Sequence, residues 1–294
     1  MIRFDYFEPS TLDEATAFLL REGEKARVLA GGTDLLPLLK QRAIRPRYLV
    51  NIKRISHLDS ISHVDGGGLR IGALTTIRTL ETSAPLRDGW GMVAQAAGHL
   101  GSVQVRNIAT VGGNLCHGVP SAETAPALIA LSAEAALSGP QGRRSLPLED
   151  FFTGPGTTVL GAGELLAELL LPPPPSPSGG VYLKLSPRGA MDIAVVGVAA
   201  WIALDGRDGS CRDCRLVLGA VAPTPFRVKR AEDVLRGEKV TERLIDAAAR
   251  TAMEESRPIS DVRASAEYRR EMVGVLTRRA LSQALEMARQ RTTG

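Results

Sequence analysis

The chain has 294 residues, of which 44% are apolar and 23% charged, and its net charge is +4. This length predicts two or three domains, and the composition excludes a largely disordered, collagen-like or disulfide-stapled chain. The three cysteines are too few to hold an iron–sulfur cluster by thiolates alone. The acid-containing start lacks the apolar core of a signal peptide, and the longest apolar run, residues 193–204, is shorter than the ~20 residues of a membrane helix. We therefore expect a soluble, cytoplasmic protein without a membrane span.

The first fifty residues predict a small parallel sheet. Ser10 is expected to cap a helix that ends at Gly23. An apolar strand over residues 28–30, a helix over 35–42 and a strand over 48–52 follow. Strands that alternate with helices in this way pair in parallel.

The middle of the chain continues with short strands and helices. The predicted elements are, in chain order, a strand over residues 69–74, a helix capped by Thr75 and Thr76 that runs to Leu80, helices over 91–100 and 122–131, and strands over 134–137 and 165–171.

A proline-rich segment, residues 172–180, is the clearest boundary, because proline fixes φ and removes a hydrogen-bond donor. Beyond it we expect antiparallel strands and then helices: strands over 181–185, 193–204 and 215–221, and helices over 228–235, 242–255 and 266–289. Seven arginines lie between residues 263 and 291. Such a basic helix can bind nucleic acid or an acidic partner, but it is more often a solvated face. With only 4% aromatic residues to stack on bases, we expect no nucleic-acid binding.

Two glycine-containing loops are candidates for chemistry. In the first, residues 28–35, an apolar strand runs into Gly31-Gly32 and a helix start, where bare backbone and free N–H groups can bind a phosphate. Asp34 would repel phosphate unless it turns away to cap the helix. A plain turn explains this pattern equally well.

The second loop joins Thr110 and Gly112-Gly113 to Asn114, and Glu123 follows at the start of an apolar helix. Glu123 could accept hydrogen bonds from ribose hydroxyls, although a carboxylate in a first helical turn is more often a cap. The sequence contains no Rossmann, P-loop, nucleophile-elbow or zinc-protease motif. The usual signatures of hydrolases, kinases and zinc enzymes are therefore missing.

These two loops, about 80 residues apart, together resemble the FAD-binding medium subunit of the molybdenum hydroxylases. The resemblance is carried, in order, by Ala30–Leu35, Ile71–Thr76, Arg106–Leu115, Tyr182–Arg188 with Asp192–Ala194, and Leu218–Pro225. It implies an α+β chain: an FAD-binding domain of the vanillyl-alcohol-oxidase/p-cresol-methylhydroxylase type, made of two α/β subdomains, followed by a C-terminal α+β domain with an antiparallel sheet and helices. The implied boundaries are residues 1–55, 56–172 and 178–294.

The resemblance also implies a set of cofactor-binding residues. The first loop would wrap the diphosphate, Thr110 and the second glycine turn would hold its other side, and Leu100 and Leu166 would form apolar walls. Lys184 would lie near the polar edge of the flavin, and Tyr182 would either cover a face of the flavin or only pack in its strand. The full set is Val28, Leu29, Ala30, Gly31, Gly32, Thr33, Asp34, Leu35, Leu100, Thr110, Val111, Gly112, Gly113, Asn114, Glu123, Leu166, Tyr182 and Lys184.

The function implied is that of an oxidoreductase subunit in which the flavin, and no side chain, performs the chemistry. The molybdenum cofactor would belong to a large partner chain and two [2Fe–2S] clusters to a small one, in a heterotrimer that can double to a heterohexamer. No metal is expected on this chain. Two alternatives are a self-contained FAD oxidase or dehydrogenase of the same fold and a non-enzymatic nucleotide- or nucleic-acid-binding module. Cys211 and Cys214 are expected in a hairpin, as coincidental cysteines or as a redox or metal pair. Cys116 could be exposed and has no assigned role.

Overall fold

The computed structural model describes residues 3–87, 89–189 and 191–291. The first part of the chain forms a three-stranded sheet in which β3 lies between β1 and β2 and both pairings are parallel. Its elements are β1 (Asp5–Phe7), α1 (Leu12–Glu22), β2 (Ala26–Leu29), α2 (Leu35–Lys40) and β3 (Tyr48–Asn51). The parallel sheet predicted from this region is confirmed.

The predicted Ser10 cap is wrong, and Asp34, the possible cap of α2, does not bond to that helix. Thr11, not Ser10, caps α1, because its hydroxyl accepts a hydrogen bond from the Glu14 N–H at 3.1 Å. The Ser10 N–H and hydroxyl instead donate to the Glu14 carboxylate. Asp34 makes no capping hydrogen bond to α2. The predicted end of α1 at Gly23 is confirmed; this residue has a φ of 53°, which glycine adopts without strain.

The second part of the chain forms a five-stranded antiparallel sheet in the order β4-β5-β10-β6-β7. The short helices between β5 and β6 bury apolar faces in its core. The elements are β4 (Ile61–Val64), β5 (Gly68–Gly72), α3 (Ile77–Thr82), α4 (Gly91–Gly98), α5 (Val103–Arg106), α6 (Val111–Cys116), α7 (Thr124–Ala130), β6 (Glu134–Gly139), β7 (Gly142–Pro147), the hairpin β8 (Phe152–Gly154) and β9 (Thr157–Thr158), and β10 (Leu165–Leu171). Thr76 caps α3, as predicted.

The third part is a four-stranded antiparallel sheet in the order β11-β12-β13-β14, with helices packed against it. Its elements are β11 (Ser178–Leu185), β12 (Val196–Leu204), β13 (Cys211–Gly219), β14 (Phe226–Arg227), α8 (Lys229–Asp233), α9 (Glu242–Glu255) and α10 (Ala266–Gln290). The strand predicted from residue 181 begins three residues earlier, inside the segment expected to lack regular structure. Gly179 explains this, because a Cβ there would lie 2.3 Å from the Ala284 carbonyl oxygen, so glycine lets α10 pack directly on β11.

One expectation about the third part is confirmed and one needs correction. Strands β12 and β13 pair antiparallel as a hairpin, and Cys211 and Cys214 lie on its second strand, both fully buried. The arginine-rich helix α10 is not a purely solvated face. Arg269 is buried and donates to the Val195 carbonyl and to Asp261, each at 2.8 Å. Part of the basic charge therefore stabilises the C-terminal region internally.

The α+β class is confirmed, with one main sheet in each of the three parts of the described chain and the small β8-β9 hairpin beside the second. Hydrophobic clusters cross the boundaries between parts: Tyr182 and Trp201 of the third part pack in the core of the second, and Leu165 packs with the first. The domain divisions at residues 55 and 172 therefore stay predictions. No helix within the described residues combines the length and apolar character needed to cross a membrane.

Candidate functional site

A cavity of about 750 Å³ lies between the first and second parts of the chain, and residues 191–193 of the third part close one side. This size is typical of a small-molecule or cofactor site. Most residues expected in the cofactor site line it: Val28, Ala30, Gly31, Gly32, Thr33, Asp34, Leu35, Leu100, Thr110, Gly112, Gly113, Asn114, Glu123 and Leu166. Four others do not line it: Leu29, Val111, Tyr182 and Lys184.

The first glycine loop supplies backbone donors to the cavity. Within the described residues, the N–H groups of residues 31–35 have no protein acceptor. Gly31 is required because a Cβ there would lie 2.4 Å from the carbonyl oxygen of Ile108 in the facing loop. Gly32 has a φ of 80°, a conformation that side-chain-bearing residues rarely adopt. The Asp34 side chain is exposed, so its charge is solvated.

The segment predicted as the second glycine loop is a short helix, because Gly112, Gly113 and Asn114 lie on α6 behind the Thr110 cap. It supplies bare surface and not backbone donors. The N–H of Gly112 donates to the Ala73 carbonyl at 2.8 Å, and that of Gly113 donates to the Thr110 hydroxyl at 3.1 Å. A Cβ at Gly112 would lie 2.7 Å from the Ala73 oxygen, whereas a Cβ at Gly113 would meet only the Thr110 hydroxyl, at 3.0 Å. Val111 is fully buried and packs in the core outside the cavity lining, so its place in the cofactor site stays a prediction.

Asn114 presents a polar group to the cavity in a fixed orientation. Its side-chain oxygen accepts a hydrogen bond from the Thr124 hydroxyl at 2.6 Å and another from the Thr124 N–H at 3.4 Å. With the oxygen engaged, the amide NH₂ remains as the donor that this residue can offer to a ligand.

Glu123 and Lys184 form a buried ion pair at the cavity edge, with Oε1 and Nζ 2.5 Å apart. The Lys184 ammonium also donates to the His99 carbonyl at 3.0 Å and the Asp192 carbonyl at 2.7 Å. Because an ammonium has three N–H donors, all of them are used within the protein. The expectation that Lys184 lies near the polar edge of the flavin stays a prediction: its ammonium stands behind Glu123, outside the cavity lining.

The carboxylate of Glu123 does not cap α7, although the residue stands at the N-cap position. Burial raises the pKa of Glu123, and the ammonium of Lys184 offsets part of that rise. The helix-cap interpretation of this residue is wrong, and the carboxylate remains directed to the cavity edge and to Lys184.

The expected apolar residues divide into two groups. Leu100 and Leu166 line the cavity, whereas Leu29 is buried in the core. Tyr182 is 1% exposed and packs beside the His99 ring, with ring centroids 6.1 Å apart. Its burial raises the pKa of its hydroxyl well above the usual value. Strand packing, the alternative considered for this tyrosine, describes its environment.

Several cavity residues were not assigned a role from the sequence. Cys116 lines the cavity, and burial raises the pKa of its thiol to about 12, so it is held as a neutral thiol. His117, Glu164 and residues 191–193 also line the cavity. Residues 191–193 follow the end of β11 and reach the site only through tertiary packing, which no local pattern reveals. Among the described residues, no group of three or more His, Cys, Asp or Glu side chains is placed to hold a metal ion.

Two known families together cover most of the chain, one the first and second parts and the other the third. Residues 2–174 match the FAD binding domain in molybdopterin dehydrogenase, and residues 181–284 match the CO dehydrogenase flavoprotein C-terminal domain. The chain is 36% identical over 282 residues to the carbon monoxide dehydrogenase medium chain of Hydrogenophaga pseudoflava, covering 96% of this chain and 97% of that one. It is 34% identical over 284 residues to the xanthine dehydrogenase FAD-binding subunit of Escherichia coli O157:H7, covering 96% of each.

Solved structures agree along the whole chain. Carbon monoxide dehydrogenase from H. pseudoflava superposes with a TM-score of 0.93 at 35% identity, over 98% of this chain and 99% of that one. Quinoline 2-oxidoreductase from Pseudomonas putida 86 gives a TM-score of 0.90 at 31% identity, over 98% of each chain. These matches confirm the predicted fold and the predicted cofactor, FAD. The chain belongs to the FAD-binding medium subunits of the xanthine and carbon monoxide dehydrogenase type of molybdenum hydroxylase.

Proposed function

We propose that this subunit passes electrons between [2Fe–2S] clusters on a small partner chain and an external acceptor, while substrate is converted at a molybdenum cofactor on a large partner chain. The observation that carries the proposal is the cavity between the first glycine loop and the glycine-containing start of α6. The first loop offers a row of backbone donors without protein acceptors. Bound FAD supplies the chemistry, because a flavin exchanges either one or two electrons.

The residues present fit this cofactor. A diphosphate needs several convergent N–H donors and close access to the backbone, and the N–H groups of residues 31–35 with the bare Gly31-Gly32 surface supply both. The Thr33 and Thr110 hydroxyls and the amide of Asn114 add side-chain donors. Because Gly113 has no side chain, it leaves space for the cofactor in the cavity opposite the first glycine loop.

A flat aromatic ring system needs apolar walls, and Leu100 and Leu166 face the same cavity. Within the described cavity lining, no nucleophile is hydrogen-bonded to a general base. The side chains there accordingly bind and orient a cofactor, exclude water from it and set the local charge.

The proposal extends to assembly and location. We expect a heterotrimer of this chain with one large and one small chain, which can double to a heterohexamer, in the cytoplasm. The assembly is supported by the carbon monoxide dehydrogenase relatives, which are medium chains.

Purification of a tagged chain from its native host tests the proposal. The expected product contains one large and one small companion chain, flavin absorbance, iron and molybdenum. A solitary flavin-bearing chain that oxidises a substrate by itself would instead identify a self-contained oxidase. A colourless chain that takes up no added FAD would contradict the cofactor assignment itself.

A further inference from the structure

Three consecutive backbone carbonyls beside the cavity each accept a hydrogen bond from a buried cation. The carbonyl of His99 accepts from Lys184 at 3.0 Å, and those of Leu100 and Gly101 accept from Arg106 at 3.0 and 3.3 Å. This stretch follows the end of α4, where helix carbonyls lack intrahelical partners, and turns at Gly101 with a φ of 51°.

Arg106 is itself held in place by an acid. It is 8% exposed, and its Nε and Nη2 donate to the two carboxylate oxygens of Glu81 at 2.8 and 3.3 Å. Arg78 also donates to Glu81, at 2.9 Å. Two-pronged pairing of a guanidinium with a carboxylate fixes orientation as well as distance. The rigid fork can therefore hold two carbonyls while remaining paired.

The backbone segment whose carbonyls these two cations hold, residues 99–101, carries an apolar wall of the cavity. Leu100 and Gly101 both line the cavity, whereas Arg106 and Glu81 do not. The buried Arg106 guanidinium therefore donates two of its hydrogen bonds to backbone carbonyls of residues that line the cavity. A structural ion pair placed only for stability gains little over apolar packing.

We infer that Arg106, oriented by Glu81, is a positioning residue for the cofactor: it fixes the Leu100–Gly101 backbone, so that the Leu100 side chain stands as a rigid wall against the flavin. The inference rests on the cofactor assigned above, and it concerns groups that act on FAD only through the wall they hold.

A double-mutant cycle tests this inference, with FAD affinity of the apo-protein and the visible circular dichroism of the bound flavin as readouts. We expect Arg106→Gln to weaken FAD binding at least about tenfold and to change the dichroism. Leu100→Ala should do the same, and the double variant should be hardly worse than either single one, because both changes remove one wall.

Arg227→Gln is the matched control. Arg227 makes a similar two-pronged pair with buried Glu232, at 3.0 and 2.7 Å, but lies outside the cavity lining. It should lower stability and leave FAD affinity and dichroism unchanged. If Arg106→Gln does not fold, Arg106→Lys serves instead: an ammonium keeps the charge but has only three N–H donors and no planar fork for the four hydrogen bonds that Arg106 makes, so it should show the same defect in milder form.

Two results would overturn the inference: unchanged FAD affinity and dichroism in folded Arg106→Gln or Arg106→Lys, or losses from Arg106 and Leu100 that multiply as independent effects. Wild-type protein that binds no FAD would refute the cofactor assignment, and with it the positioning role of Arg106. Normal FAD binding by the wild type together with unchanged binding by an Arg106 variant would refute the positioning role alone.

Discussion

Replacing Gly31 by alanine should separate the two loops that face the cavity. The new Cβ would lie 2.4 Å from the Ile108 carbonyl oxygen and 2.9 Å from the Ala109 Cα, whereas ordinary contact begins at 3.4 Å. Neither neighbour is a flexible side-chain end, so one backbone must move by about 1 Å. The residues on either side keep their chemistry, which makes this a purely geometric perturbation.

Two magnitudes follow from that displacement. Overpacking of this kind costs roughly 1–3 kcal/mol of unfolding free energy. For a domain of this size the melting temperature should fall by roughly 2–4 °C for each kcal/mol. Displacing the donor row by ~1 Å should also lose at least one hydrogen bond to a charged diphosphate, worth roughly 1.5–3 kcal/mol. The Kd for FAD should therefore rise by roughly ten- to a hundredfold.

Titration of the apo-protein with FAD, followed by flavin fluorescence, measures the change in Kd, and thermal unfolding measures the change in stability. Gly206→Ala is the control, since its Cβ would meet nothing within 4 Å and its backbone is not left-handed. A folded Gly31→Ala variant that binds FAD within about twofold of wild type would refute the close-approach explanation.

Three further predictions concern charge and sulfur. Lys184→Met should destabilise the fold by about 3–5 kcal/mol in urea unfolding, because it leaves the buried Glu123 carboxylate unpaired; adding Glu123→Gln should restore part of the loss, and no restoration would contradict the pairing. Burial alone would raise the pKa of Glu81, but hydrogen bonds from two arginines outweigh it and lower that pKa. This carboxylate therefore stabilises the fold at neutral pH, and it loses that contribution as the pH falls through its lowered pKa. In Glu81→Gln the urea midpoint of unfolding should consequently fall less steeply at acidic pH than in the wild type. An equally steep fall in both proteins would contradict this. Changing both Cys211 and Cys214 to alanine should leave the Kd for FAD unchanged, because both lie in the C-terminal core; a loss of affinity would show that the pair matters to the site.

The sequence predicts most of the fold because its local signals are strong. Strand β10 and helix α9 have the predicted bounds, since β10 is a largely apolar run that stops at Pro172 and α9 carries an amphipathic pattern behind its Thr241 cap. The predicted Ser10 cap of α1 is wrong, and Asp34 does not cap α2, because several hydroxyls and acids compete near each helix start and tertiary geometry selects among them.

Site residues can be predicted from the sequence where the backbone conformation requires a particular residue type. They cannot be predicted where the site forms from chain segments that are distant in sequence. Gly31 and Gly112 could be found because close backbone approach demands glycine. The three acceptors of Lys184 lie on three separate chain segments, so no spacing in the sequence predicts that they meet. The same holds for residues 191–193, which enter the cavity from the C-terminal part of the chain.

The most direct test of the central claim is the absorbance spectrum, with iron and molybdenum analysis, of the complex purified from its native host through a tag on this chain. We expect flavin and iron–sulfur bands, with molybdenum, in one particle that contains a large and a small companion chain. A particle with the companion chains and both metals but without flavin, even after FAD is added, would contradict the assignment of this chain as the flavin-carrying subunit.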